Sequence, residues 1–269
     1  MNLILKNYKR IYLFIVVLLL PFFAVTKVNL NVMKALVSQE YPYSEASLEI
    51  LKDVSDRMGY RLSVTKDIPQ NVNQKALNDD YDVVLNQPSS ETLKKFFLFS
   101  KPIFNVTYVL YGLTINENFS DISKMLGSYK IGFVKGMFYG ESFQNYISQK
   151  ENEKKIAPIL GKNPFLQGLL NVTLNQTDFF VCDALVCENV KSKEKDQFPE
   201  LAQVTKTRAV ISSGITYSFS FPKKRPNAID MQREFNKNLT NILTYSKKKD
   251  LYDKYKIDLT DTNQKEKME

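Results

Sequence analysis

The chain has 269 residues, with 37 lysines and arginines against 29 aspartates and glutamates, no histidine, no tryptophan and two cysteines. Without histidine there is no imidazole base, no Ser-His or Cys-His nucleophile and no histidine metal ligand, and two thiols are too few for a zinc cluster. The net charge of +8 is dispersed, with acidic residues interleaved, so no basic stripe marks a nucleic-acid surface and no nucleic-acid partner is expected.

In chain order, the first segment reads as an export signal. Lys6, Lys9 and Arg10 precede an apolar run from Ile11 to Leu20 that continues to Val25, and the first acidic residue is Glu40. A basic flank followed by such a run is the layout of a secretory signal, and the run is somewhat shorter than the roughly 20 apolar residues of a membrane-crossing helix. Residues 1–26 are read as a signal peptide or an uncleaved signal anchor, and the rest of the chain as working outside the cytoplasm.

Residues 28–36 alternate as a strand. Leu48, Ile50, Leu51, Val54 and Met58 then fall at helical spacing, and Gly59 stops that helix. Residues 60–64 read as a second strand, and Ala76 and Leu77 lie in a short helix closing at Asn78. Residues 81–85 form the short apolar run of a buried parallel strand. This alternation predicts an α/β lobe.

Residues 104–115 form a long β-rich stretch, and 129–134 another strand. Gly136 and Gly140 bracket a turn before a helix over 141–149. Leu166, Leu169, Leu170, Thr173 and Leu174 are spaced as one helix face. Residues 178–182 read as a buried strand and 184–191 as a helix, so a second lobe is predicted. Residues 209–221 are a second long β-rich stretch leading back to the first lobe, helices follow over 229–243 and 247–255, and a polar tail starts at Thr260. Cys182 at a strand end and Cys187 in the next helix are read as buried single thiols, because their Cβ vectors need not converge.

Taken in order, several of these segments resemble motifs of the type II periplasmic solute-binding proteins, in the group that binds amino acids. Tyr41-Pro42-Tyr43 is similar to that family's aromatic-proline loop. Tyr81-Asp82-Val83-Val84-Leu85 resembles its F-D-A-I-I strand, and residues 90–102, ending Leu98-Phe99-Ser100-Lys101-Pro102, resemble its T-P-E-R…D-F-S-x-P segment. Ile131-Gly132-Phe133-Val134 with Gly136 looks like V-G-V-x-x-G, and Asp178-Phe179-Phe180-Val181-Cys182-Asp183 looks like D-A-V-V-x-D. Phe221-Pro222-Lys223-Lys224 and residues 250–255 resemble the returning strand and the terminal helix.

The resemblance implies an α/β, two-lobed periplasmic-binding-protein-like fold with two crossing hinge strands and a central cleft. Lobe 1 is expected over 27–107 plus 215–269 and lobe 2 over 108–214, with hinges near 106–111 and 212–217. It implies a monomeric periplasmic protein, without cofactor, metal or catalysis, that captures a small polar, amino-acid-like solute for an ABC-type membrane transporter. The alternatives are a member of the same fold serving a membrane sensor or a protein partner, and, further off, a dehydratase-like enzyme. One residue departs from the pattern: Leu93 occupies the place of the family's carboxylate-binding arginine. The neighbouring lysines cannot reproduce the bidentate guanidinium fork.

The candidate ligand-binding residues each carry a plainer alternative. Tyr41 and Tyr43 stack on the ligand or pack between lobes. Asn86, Gln87, Ser89 and Ser90 offer neutral hydrogen bonds or form a polar loop capping the next helix. Lys94 reaches the ligand or stays solvated, as the Lys247-Lys248-Lys249 cluster does. Met137, Phe138 and Tyr139 wall the pocket while their backbone amides meet an anionic group, or they belong to an ordinary glycine turn. Asp183 takes the ligand's amino group, by the resemblance, or caps the following helix.

Overall fold

The computed structural model describes residues 31–38, 43–113 and 121–257. The chain divides into a unit over 1–31 and a compact unit over 32–269, and the latter is described below. The expected export signal, Tyr41 with Pro42, and the tail from Thr260 lie outside the described residues.

A nine-stranded sheet carries the unit. Its strands are β1 (Asn31–Ser38), β2 (Tyr60–Asp67), β3 (Val83–Pro88), β4 (Phe97–Phe99), β5 (Phe104–Leu113), β6 (Ile131–Val134), β7 (Ile156–Ile159), β8 (Phe179–Asp183) and β9 (Val204–Pro222). They lie in the order β2-β1-β3-β9-β5-β8-β6-β7, with β4 paired to β9. β1 and β3 are parallel, as are β6–β7 and β6–β8, while β5 and β9 run antiparallel down the middle. Two parallel α/β halves therefore flank a central antiparallel pair.

The helices are α1 (Tyr43–Arg57), α2 (Pro69–Asn78), α3 (Glu91–Lys94), α4 (Ile122–Ser128), α5 (Glu141–Ser148), α6 (Pro164–Thr173), α7 (Ala184–Glu194), α8 (Ala228–Ile242) and α9 (Tyr245–Tyr255). α1 buries Ile50, Leu51 and Val54 and is ended by Gly59 in the left-handed region at φ 73°. α2 and α6 each begin with proline in the first turn, where the missing N–H is no loss. α8 buries Met231, Phe235, Leu239 and Ile242 along one stripe, and the Phe235 ring meets Phe219 at 4.8 Å and Phe221 at 5.2 Å. Burying each such side chain contributes about 1.5–3 kcal/mol.

Three expectations need correction. The buried face of α6 is Phe165, Gly168, Leu169 and Val172, whereas Leu174 is exposed just beyond the helix. Gly168 lets α6 lie against β8: a Cβ there would meet the Phe180 ring at 2.3 Å. β4, β7 and α4 were not anticipated from the sequence, being three, four and seven residues long. Lys247 is not solvated but ion-paired to Glu49 and Asp53 on α1, at 2.8 and 2.9 Å. Cys182 and Cys187 form a disulfide with a Cα–Cα distance of 6.2 Å. β8 passes into α7 with no intervening loop, so the first helical turn carries Cys187 back over the strand end, within bridging range.

Candidate functional site

Open α/β sheets present ligand sites beyond the carboxyl ends of their strands. Here Ser38 ends β1, Asn86 and Gln87 lie near the end of β3, and the N-terminal turns of α2 and the Gly136 turn after β6 close over them. The pairing of β3 with β9 shifts register between Val84 and Gln87, and Asn86 sits in the left-handed region at φ 57°. Asparagine tolerates that conformation, and a bulge of this kind re-aims side chains. Asn86 and Gln87 are each only 4% exposed. The Ser47 hydroxyl donates to Asn86 Oδ1.

The turn after β6 depends on glycine. Gly136 has φ 93°, and a Cβ on it would stand 2.4 Å from Gln70 Cα, at the N-terminus of α2. Backbone thus packs on backbone between the two halves of the sheet. Beneath this contact lies a chamber of about 40 Å³ whose walls include Ser38, Asn73, Asn86, Gln87 and Phe138. Four buried polar atoms on its walls, Ser38 Oγ, Asn73 Oδ1, Asn86 Nδ2 and Gln87 Oε1, have no hydrogen-bond partner among the described residues. Each costs about 1–3 kcal/mol while unpaired, so the chamber suits a polar guest, whether water or the polar part of a solute.

A larger cavity of about 620 Å³ adjoins the chamber and shares Asn73, Gly136, Met137 and Phe138 with it. Leu93, Phe133, Ile147 and Ile156 line its apolar part. Its volume falls within the roughly 300–1,000 Å³ usual for small-molecule sites.

The remaining candidates occupy varied places. Asp183 caps α7, accepting from the N–H groups of Leu185 and Val186 at 2.9 and 3.2 Å, and it also accepts from the Tyr43 hydroxyl at 3.2 Å. Burial raises its pKa, while the bonds from Val186, Tyr43, Leu185 and the Thr107 backbone pull the other way. Asp183 lines neither of these two cavities. Tyr43 is buried and packs on Phe104 and Tyr217 at 5.3 and 5.7 Å between ring centroids. Tyr139 is core: its hydroxyl accepts from Val134 N–H at 2.8 Å and its ring meets Tyr108 at 4.7 Å.

Ser90 caps α3, accepting from Leu93 N–H at 3.2 Å, and also lines the large cavity. Ser89 is half-buried, and its N–H donates to Thr216. Lys94 is exposed and pairs with Glu91 at 2.7 Å, away from both cavities. Asp178 accepts from Lys130 N–H at 2.7 Å and orders the start of β8. Ser38 and Asn73 were not singled out from the sequence. The position of Ser38 at the end of a parallel strand is the signal that marks it, whereas Asn73 carries none. Among the described residues, no group of three or more Cys, Asp or Glu side chains converges to hold a metal ion. No described helix is long and apolar enough to cross a membrane.

No family model and no curated protein matches the sequence. Solved structures do match. A histidine kinase sensor domain with similarity to periplasmic binding proteins superposes with a TM-score of 0.71 at 10% identity, covering 85% of this chain and 98% of its own. An ancestral arginine-binding protein bound to arginine gives 0.67 at 15% identity, covering 84% and 98%. A periplasmic binding protein of an arginine transport system from Legionella pneumophila gives 0.65 at 17% identity, covering 84% and 99%. The chain has the α/β fold of the type II periplasmic binding proteins.

Proposed function

We propose that this chain is an exported binding protein that closes its two halves on a small solute bearing polar groups and presents the closed form to a membrane partner. The observation carrying this reading is the gathering of Ser38, Asn73, Asn86 and Gln87 around one chamber with four polar atoms unmatched among the described residues. Gly136, which packs on Gln70, lines both the chamber and the larger cavity, so parting of the halves would widen the way in. Expected hinges are the β5 and β9 segments near 106–111 and 212–217, where the pairing is irregular and Gly214 has φ 70°. Binding rather than catalysis is proposed because the polar residues lining the chamber are amides and the hydroxyl-bearing Ser38 and Tyr217, and Asp183 is held as a helix cap. Export rests on the basic flank and apolar run of residues 6–25.

The membrane partner is either a transporter or a sensor. Similarity to arginine-binding proteins favours the first. The second is favoured by similarity to a kinase sensor domain and by Leu93, which places a side chain without charge at the cavity wall.

A thermal-shift screen of the purified full chain against amino acids, small peptides, polyamines, carboxylates, sugars and primary amides tests the reading. A solute at a hundred times its dissociation constant adds roughly 2.7 kcal/mol, a rise of about 5–10 °C for a chain of this size. If no solute shifts the transition, solute capture is wrong and the fold serves a protein partner instead.

A further inference from the structure

Resting on the reading of this cleft as a solute site, we infer that its ligand is an uncharged amphipathic molecule, with a carboxamide-like polar head in the chamber and an apolar tail in the adjoining cavity. The head is set by the chamber's chemistry. Asn86 Nδ2 is a donor, Gln87 Oε1 and Asn73 Oδ1 are acceptors, and Ser38 Oγ serves as either. A group matching that set must both accept and donate, and a primary amide, with one oxygen and two N–H bonds, does so in a few atoms.

Charge is excluded by what surrounds the head. No side chain lining the chamber is charged. Asp183, the buried carboxylate that ends β8, is already held by Tyr43 and two backbone N–H groups. An ammonium or carboxylate placed in the chamber would lie unpaired in a desolvated space, which costs far more than an unpaired amide. The charges on the larger cavity, Lys135 and Glu141, are both exposed and opposite in sign, so they favour neither ion.

The tail is set by the larger cavity. About 40 Å³ accommodates only a small head. The rest of the ligand passes the shared residues Met137 and Phe138 into about 620 Å³ walled by Leu93, Phe133, Ile147 and Ile156. Lys135, the one cation lining that cavity, is exposed and so is no fixed partner for the carboxylate of an α-amino acid.

Isothermal titration of the full chain with acetamide, hexanamide, phenylacetamide, leucine and phenylalanine tests the inference. Hexanamide and phenylacetamide are expected to bind at least tenfold more tightly than acetamide, and more tightly than leucine or phenylalanine. Leu93→Asn and, separately, Ile147→Asn, both on walls of the larger cavity alone, are expected to weaken hexanamide about tenfold while leaving acetamide unchanged. Wild-type melting of at least one variant confirms that the loss is local. Tighter binding of the amino acids would overturn the inference and leave solute capture standing. Equal binding of acetamide and hexanamide, or hexanamide binding untouched in both variants, would also overturn it. Binding of none of the five overturns it too. Capture itself fails only if the wider solute screen is also blank.

Discussion

Asp183 shows how one side chain carries two readings. The family resemblance expects it to offer a carboxylate to the ligand, yet it lines neither cavity and is engaged by two helix N–H groups and the Tyr43 hydroxyl. Burial is the largest influence and lifts its pKa above the ordinary 3.8. The folded chain then binds that proton more tightly than the unfolded chain. Stability therefore falls as pH rises from the unfolded value through the raised folded value, and is level above it. Asp183→Asn keeps an oxygen for Leu185 and Val186 and removes the charge. It is expected to raise stability at pH 8 by an amount on the order of 1 kcal/mol, with the difference shrinking toward pH 4. Thermal melts across that range decide the matter, and a variant less stable at pH 8 would mean that the charge itself is used. Asn86 and Gln87 were legible as cleft-facing candidates from their place at the end of an apolar strand, and both line the chamber. Tyr139 was misplaced because a glycine turn does not reveal which way its aromatic points, and packing on Tyr108 turns it inward.

At the level of elements, the apolar strands β3 and β8 were legible because they are buried along their length. β7 was hidden by Pro158, which reads as a break and is tolerated because β7 is an edge strand. The docking of α9 on α1 was also hidden, since its lysines read as solvent-facing. Lys247 and Lys254 both reach Glu49 at 2.8 Å, and the Tyr255 hydroxyl donates to it at 3.1 Å. These cations, Lys247 first, lower the Glu49 pKa from 4.5 to about 2. The group is depressed, so its contribution is complete above pH 4.5 and is lost as pH falls toward 2. Solvent screening leaves the tether worth about 1 kcal/mol. Glu49→Gln should lower the melting temperature by about 2–4 °C at pH 7 and by less at pH 3. An equal loss at both values would assign the effect to packing instead of charge.

At the scale of the molecule, the alternation of strands and helices and the returning β9 made the architecture readable, because each parallel strand needs a crossover helix. The chamber was not readable. Its walls come from the end of β1, the first turns of α2, the bulge in β3, Tyr217 of β9 and the turn after β6, and the approach of Gly136 to Gln70 brings the last of these against the others. On the proposed reading such a chamber trades stability for binding, since its unmatched polar atoms are a cost until a polar partner meets them. Gln87→Met separates those two contributions, replacing an unmatched buried acceptor with an apolar side chain of similar length. Melting of wild type and variant, each with and without the solute that stabilises wild type most, is the direct measurement. Solute binding at this chamber requires the ligand-free variant to melt about 2–4 °C higher and the solute-induced rise to disappear. A variant that melts lower while keeping the full solute-induced rise would contradict it, and would make Gln87 part of the scaffold alone.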